Sequence, residues 1–225
     1  MDLTITTCKR LDYFKRTIDS FFTNCLDTDL ISRVLIADDG SPFEEREEMV
    51  RFIKNRFAHG IEISTPYKKG HPASLNEMIK NINTEWFFHL EDDWEFIKPA
   101  HFIQECIDIS QTDDRIKNIT LRRFGTSTII KDGLTYEVHT HRPKNTKYEL
   151  KEHGGCRHPG FSLNPGLNHL PTLKKVGLFA EHFRWFEVRY AMRYAQAGFL
   201  KANTMTDYVK HIGEVSAYDN TKRGF

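Results

Sequence analysis

The sequence predicts an α/β protein with a mostly parallel central sheet, and two observations lead there. Short apolar or β-branched runs alternate with segments of helical spacing through the first hundred residues, and acidic residues or Gly-containing turns close the runs. Strand and helix alternating at this spacing imply right-handed crossovers between parallel strands.

LTITT (3–7) reads as the first strand, and Tyr13, Phe14, Thr17, Ile18, Phe21 and Phe22 then recur at helical spacing. RVLIADDGS (33–41) is a second strand closed by acidic residues and a Gly-Ser turn, followed by a charged helical segment to about Phe57. IEIST (61–65) is a third strand, HPASLNEMIKNI (71–82) a helix with Pro in its first turn, and EWFFHL (85–90) a fourth strand. After Pro99 come a helix over about 100–110, a strand at NITLRR (118–123), and a polar, His-rich stretch over 125–159, the expected variable region. GFSLNPGL (160–167) is expected to resume a strand, PTLKKVG (171–177) a short helix, and FEVRYAMRYAQAGF (186–199) a longer one closed by Gly198.

At 225 residues the chain is read as a single domain, 1–225. It is either a complete small protein or a domain of a longer one. With 32 Lys and Arg against 31 Asp and Glu there is no overall field to attract nucleic acid or an anionic membrane. The cysteines Cys8, Cys25, Cys106 and Cys156 form no CxxC pair and are read as reduced thiols. No run approaches the roughly 20 apolar residues of a transmembrane segment, and MDLTITTCKR lacks the order of a signal peptide, so a cytoplasmic location is expected.

In such a sheet, ligands sit outside the carboxyl ends of the strands. Thr6, Thr7 and Arg10 follow the first strand, Asp38 and Asp39 the second, Lys68 and Lys69 the third, and Glu91, Asp92 and Asp93 the fourth. Clustered carboxylates repel one another and persist most naturally beside a cation. Without cysteine partners they suit Mg²⁺ or Mn²⁺, which fills its remaining positions with waters and phosphate oxygens; a nucleotide diphosphate is the expected companion. The competing structural reading is a solvated acidic turn ahead of the helix that follows Pro99. The chain has neither GxxxxGK[ST] nor a GxGxxG after its first strand, which argues against a P-loop NTPase and a dinucleotide dehydrogenase.

Taken together, these segments resemble the GT-A glycosyltransferases, and within them the family 2 type. TITTCKRLDYFKRTIDSF is similar to that family's opening strand and helix, VLIADDGS to its second strand, YKKGHPASLNEMI to its small-residue and Asn segment, and WFFHLEDDWEF to its DxD strand. GFSLNPGLNHLPTLKKVGLFAE resembles the acceptor-side strand and helix, and RWFEVRYAMRYAQAGF the helix bearing a Glu-Asp pair followed by Arg and, five residues later, Gly. Arg193 and Gly198 keep that last spacing, which places Glu187 where the family has its general base. Here Phe186 and Glu187 stand in place of the Glu-Asp pair.

The resemblance implies a GT-A, Rossmann-like fold, with 1–100 as the nucleotide-sugar half and 101–225 as the acceptor and catalytic half. It implies inverting transfer from a nucleotide-diphosphate sugar to a hydroxyl of a glycan or other acceptor, with Mn²⁺ or Mg²⁺ as cofactor. Asp93 is then the direct metal ligand, Glu91 a weaker candidate acting through water, and His211 a further ligand or diphosphate contact. Thr6, Thr7, Arg10, Asp38, Asp39, Lys69 and Asp92 form the nucleotide-binding set. Trp185 and Asn164 lie on the acceptor side. Asp39 can accept the imide N–H that uracil offers, so a UDP-sugar is preferred to a GDP-sugar. Arg122, Arg123 and Lys68 are nearby cations, and His153 and His158 flank a loop that could border the acceptor. Two other readings stay open. A sugar-phosphate nucleotidyltransferase would need a glycine-rich loop that TTCKRLDYF lacks, and an inactive nucleotide-sugar binding domain is kept open by the Phe186-Glu187 departure.

Overall fold

The centre of the molecule is β1 (Asp2–Thr7), buried along its whole length and paired in parallel with strands on both sides. In this computed structural model the described residues are 1–65, 70–122, 127–131, 134–138, 160–182 and 185–213. Lys68, Lys69, Arg123, His153 and His158 lie outside them.

The elements follow in order as α1 (Leu11–Asn24), β2 (Arg33–Asp38), α2 (Phe43–Lys54), β3 (Gly60–Ser64), α3 (His71–Asn81), β4 (Trp86–Glu91), β5 (Trp94–Phe96), α4 (Phe102–Gln111) and β6 (Ile116–Thr120). Then come β7 (Ser127–Lys131), β8 (Leu134–Val138), β9 (Gly166–His169), α5 (Leu170–Val176), α6 (Phe186–Gln196), β10 (Leu200–Thr204) and β11 (Val209–His211). The main sheet has the order β3-β2-β1-β4-β9-β6-β10-β8-β7. From β3 to β10 it is mostly parallel, only β9 running against its neighbours β4 and β6.

Side chains alternate across each strand, so the sheet carries a core on either face. Leu3, Ile5, Val34, Ile36, Phe88 and Leu90 pack with Phe14, Ile18 and Phe21 of α1, Met49 and Ile53 of α2, and Phe102 and Cys106 of α4. Leu35, Ala37 and Phe87 face the other way, onto Leu75 and Met78 of α3, Leu173 of α5, and Tyr190 and Tyr194 of α6.

The strand expected over 160–167 is a correction. Its apolar residues are buried, yet Phe161 and Leu163 belong to a loop, and β9 starts only at Gly166. Polar groups of the sheet hold that loop: Asn118 Oδ1 accepts from Ser162 N–H at 3.0 Å, and Asn118 Nδ2 donates to the Ser162 carbonyl at 3.1 Å. Gly166 is dictated by close approach, because a Cβ there would meet the Ile119 carbonyl carbon and Thr120 Cα at 2.9 Å. Gly166→Ala is therefore expected to destabilise the fold by about 3 kcal/mol, read as a lowered urea midpoint. An unchanged midpoint would show that β9 and β6 can separate freely.

Candidate functional site

Register places the predicted residues along one edge. Thr6 lies opposite Glu91 across the β1–β4 pair, and Thr7 opposite Asp38 across β1–β2, so the carboxyl ends of β1, β2 and β4 form a line.

The three carboxylates after β4 have three different surroundings. Asp92 points inward and is buried; its Oδ2 accepts from Thr7 Oγ1 at 2.7 Å, from Cys8 N–H at 3.3 Å and from Arg10 Nε at 3.2 Å, and its Oδ1 pairs with Arg10 Nη2. Burial pushes the Asp92 carboxyl up to about 6, against the pull of the Arg10 guanidinium and the Thr7 hydroxyl. Asp93 turns outward, and its Oδ2 receives Arg10 Nη1 at 3.0 Å and faces His211 Nε2 at 3.3 Å. Glu91 accepts from Trp94 Nε1–H at 3.3 Å, and burial, followed by the charges of Asp93 and Glu187, pushes its carboxyl well above the usual range. Part of the neutralising cation inferred from the sequence is thus Arg10 itself, which bridges Asp92 and Asp93.

His211 reaches this turn through a small second sheet. β5 begins directly after Asp93 and pairs antiparallel with β11, setting His211 opposite Trp94, with ring centroids 5.0 Å apart. Ile212 N–H donates to the Asp93 carbonyl at 2.8 Å, and a Cβ on Gly213 would stand 2.9 Å from Asp93 Cβ. A one-residue slip of β11 would turn His211 to the opposite face.

The end of β2 divides its two aspartates. Asp38 is fully buried and shapes the turn, accepting from Ser41 N–H at 2.9 Å and from Ser41 Oγ at 2.5 Å. Asp39 is partly exposed and takes the Gly70 N–H on both oxygens, at 3.0 and 2.9 Å. Gly70, at φ +115°, precedes α3. Thr6 is buried within β1, and Lys69 lies outside the described residues.

Glu187 stands in the first turn of α6, and its charge bears on Glu91 and His71. Its Oε1 accepts from Leu163 N–H at 2.9 Å and from Ser162 Oγ at 3.3 Å, so the buried loop before β9 orients it. Asn164 continues that loop, its N–H donating to Ser162 Oγ at 3.3 Å. Trp185 caps the start of α6 and is 47% exposed. Phe186 packs edge-on against Phe179, with centroids 5.8 Å apart.

Sequence reasoning missed the polar residues behind the site. Asn118 and Ser162 hold the loop that holds Glu187. Asn76 of α3 makes a reciprocal pair with Phe179, Nδ2 donating to its carbonyl at 3.0 Å and Oδ1 accepting its N–H at 2.9 Å. A buried Asn inside an otherwise apolar strand or helix was the available signal.

The residues fit a divalent cation in a limited sense. Asp93 supplies a hard oxygen beside the His211 nitrogen, and both side chains are partly exposed, at 13% and 44%. Among the described residues no group of three or more His, Cys, Asp or Glu is arranged to hold a metal ion. Asp93 and His211 could therefore hold a hard divalent cation only together with phosphate and water ligands.

Solved structures similar to this chain include "Mannosyltransferase PcManGT from Pyrobaculum calidifontis in complex with GDP-Man and Mn2+", at TM-score 0.65 and 11% identity, covering 99% of this chain and 59% of that one. TarS of S. aureus follows at TM-score 0.63 and 10% identity, covering 99% and 38%. GalNAc-T7 with UDP, GalNAc and Mn2+ has TM-score 0.66 and 12% identity, covering 96% and 44%. The chain therefore spans between 38% and 59% of the length of these three structures. At such identities the likeness shows the shared fold, the GT-A arrangement of a mostly parallel sheet flanked by helices. No curated protein matches the chain significantly in sequence. The model of the family described as Glycosyl transferase family 2 matches residues 2–164, well over half of the sequence, and the chain belongs to that family.

Proposed function

We propose that the chain transfers a sugar from a nucleotide-diphosphate sugar, a UDP-sugar by preference, to a hydroxyl of a glycan or other acceptor, with inversion. The observation behind this reading is a convergence of groups: Asp93, which faces His211, and Glu187, oriented by Leu163 N–H, both bear electrostatically on Glu91 and His71. The GDP-Man, UDP and Mn2+ named for the similar structures support the donor class and the cation, and leave the base of the nucleotide to experiment.

Asp39, partly exposed at the end of β2, is placed to accept a base or ribose donor. Asp38 and Asp92 act behind the surface, the first by holding the Asp39 turn and the second by anchoring Arg10. Arg10 then stands beside Asp93, where its guanidinium can pair with a diphosphate oxygen. A bound divalent cation at Asp93 and His211 supplies neutralisation of the departing diphosphate. Glu187 takes the proton from the acceptor hydroxyl as its oxygen bonds to the anomeric carbon; the bond from that carbon to the phosphate oxygen breaks, and the diphosphate leaves with the electron pair. Leu163 N–H and Ser162 Oγ keep the carboxylate in position without a large motion.

The test is calorimetry with UDP and GDP, each with Mn²⁺ and with EDTA. One of the two is expected to bind at least about 100-fold more weakly in EDTA, since the cation and its phosphate contacts are lost together. Equal binding with and without the cation would remove the basis of the proposal. Binding without any release of sugar from a donor panel would favour an inactive binding domain.

A further inference from the structure

His71 stands between the acidic turn after β4 and the start of α6. It is the first residue of α3, directly after Gly70, whose N–H is held by Asp39. Its Nε2 lies 3.7 Å from Glu91 Oε1, and its ring meets Phe186 edge to face, with centroids 5.3 Å apart and planes at 78°. Phe186 immediately precedes Glu187. The charges bearing on the imidazole come from Glu187 on α6, Asp93 on the turn after β4, Asp39 after β2 and Arg10 after β1.

We propose that His71 selects the donor sugar: one imidazole nitrogen hydrogen-bonds a ring hydroxyl of the hexose as that sugar lies between Asp93 and Glu187. The inference rests on the donor reading above and adds the residue that discriminates among sugars. The anomeric carbon must lie between the diphosphate and the base, so the sugar ring borders whatever side chain sits between them. The imidazole carries two ring nitrogens, each able to hydrogen-bond a hydroxyl. The Phe186 ring limits the tilt of the imidazole, which gives the aromatic residue a purpose at the position where the resembling family carries Glu. A site built to hydrogen-bond one hydroxyl rejects a sugar that lacks it or presents it from the other face.

The experiment measures Mn²⁺-dependent binding of UDP, UDP-glucose, UDP-galactose and UDP-N-acetylglucosamine to the wild type, His71→Ala and His71→Gln. The GDP compounds replace them if GDP is the nucleotide bound. UDP affinity is expected to stay within about twofold in both variants, while the preferred UDP-sugar weakens about tenfold in His71→Ala and largely recovers in His71→Gln, whose amide keeps a donor and an acceptor. Equal weakening of UDP and UDP-sugar in both variants would make His71 a structural residue and overturn the proposal. So would a sugar preference unchanged by either substitution. If the wild type binds neither UDP nor GDP, the donor reading itself fails and this inference falls with it.

Discussion

Asp93→Asn is expected to lower Mn²⁺-dependent nucleotide affinity by at least about 100-fold and to leave the melting temperature within a few degrees. The first effect follows because the amide removes the anionic oxygen that faces His211, and a hard cation binds a neutral carbonyl far less well. The second follows from shape: asparagine fills the space against Gly213 that aspartate fills, and Arg10 keeps its paired contact with Asp92. Calorimetry with and without EDTA on both proteins measures the first effect, and a thermal melt the second. Were the variant to bind as tightly as the wild type, Asp93 would be no more than a counter-charge for Arg10.

In the proposed reaction, Glu187→Gln separates the proton transfer from binding. Glutamine keeps an oxygen for Leu163 N–H and Ser162 Oγ, so the first turn of α6 has no reason to move. Its amide cannot accept the proton of an attacking hydroxyl. The turnover number for sugar transfer should fall about 10²–10⁴-fold, the range such groups contribute, while UDP affinity stays within about twofold. Steady-state kinetics together with calorimetry give the two numbers, and undiminished turnover would move the base to another residue.

The first half of the chain was most legible where a strand is buried and ends at an acidic turn, as β2 and β4 do. VLIAD and WFFHLE announce themselves by apolar character, and their ends coincide with the candidate site. The second half hid its order for physical reasons. Phe161 and Leu163 are apolar and buried, as a strand's residues would be, yet they sit in a loop held by the side chain of Asn118 and by Glu187. β10 reads as LKANT, a polar sequence, because its Asn203 is buried against Thr120, Thr120 Oγ1 donating to Asn203 Oδ1 at 2.6 Å. β5 and β11 are three residues each, too short for any periodicity to show. At the site, the acidic edge could be read from spacing. The division of labour between Asp92 and Asp93 could not, since it depends on which carboxylate Arg10 and Thr7 meet in space.

The reciprocal bond between Asn76 and Phe179 spans 103 residues of sequence. Closing a loop of that length carries an entropy penalty that is repaid only when the distant contacts around it form together. α3 meets Asp39 at its start through Gly70 and the Phe179 segment ahead of α6 through Asn76, so one helix ties the end of β2 to the loop leading to Glu187. Weakening the Asn76–Phe179 pair, for instance by Asn76→Ala, is therefore expected to loosen the two halves against each other as well as α3 itself.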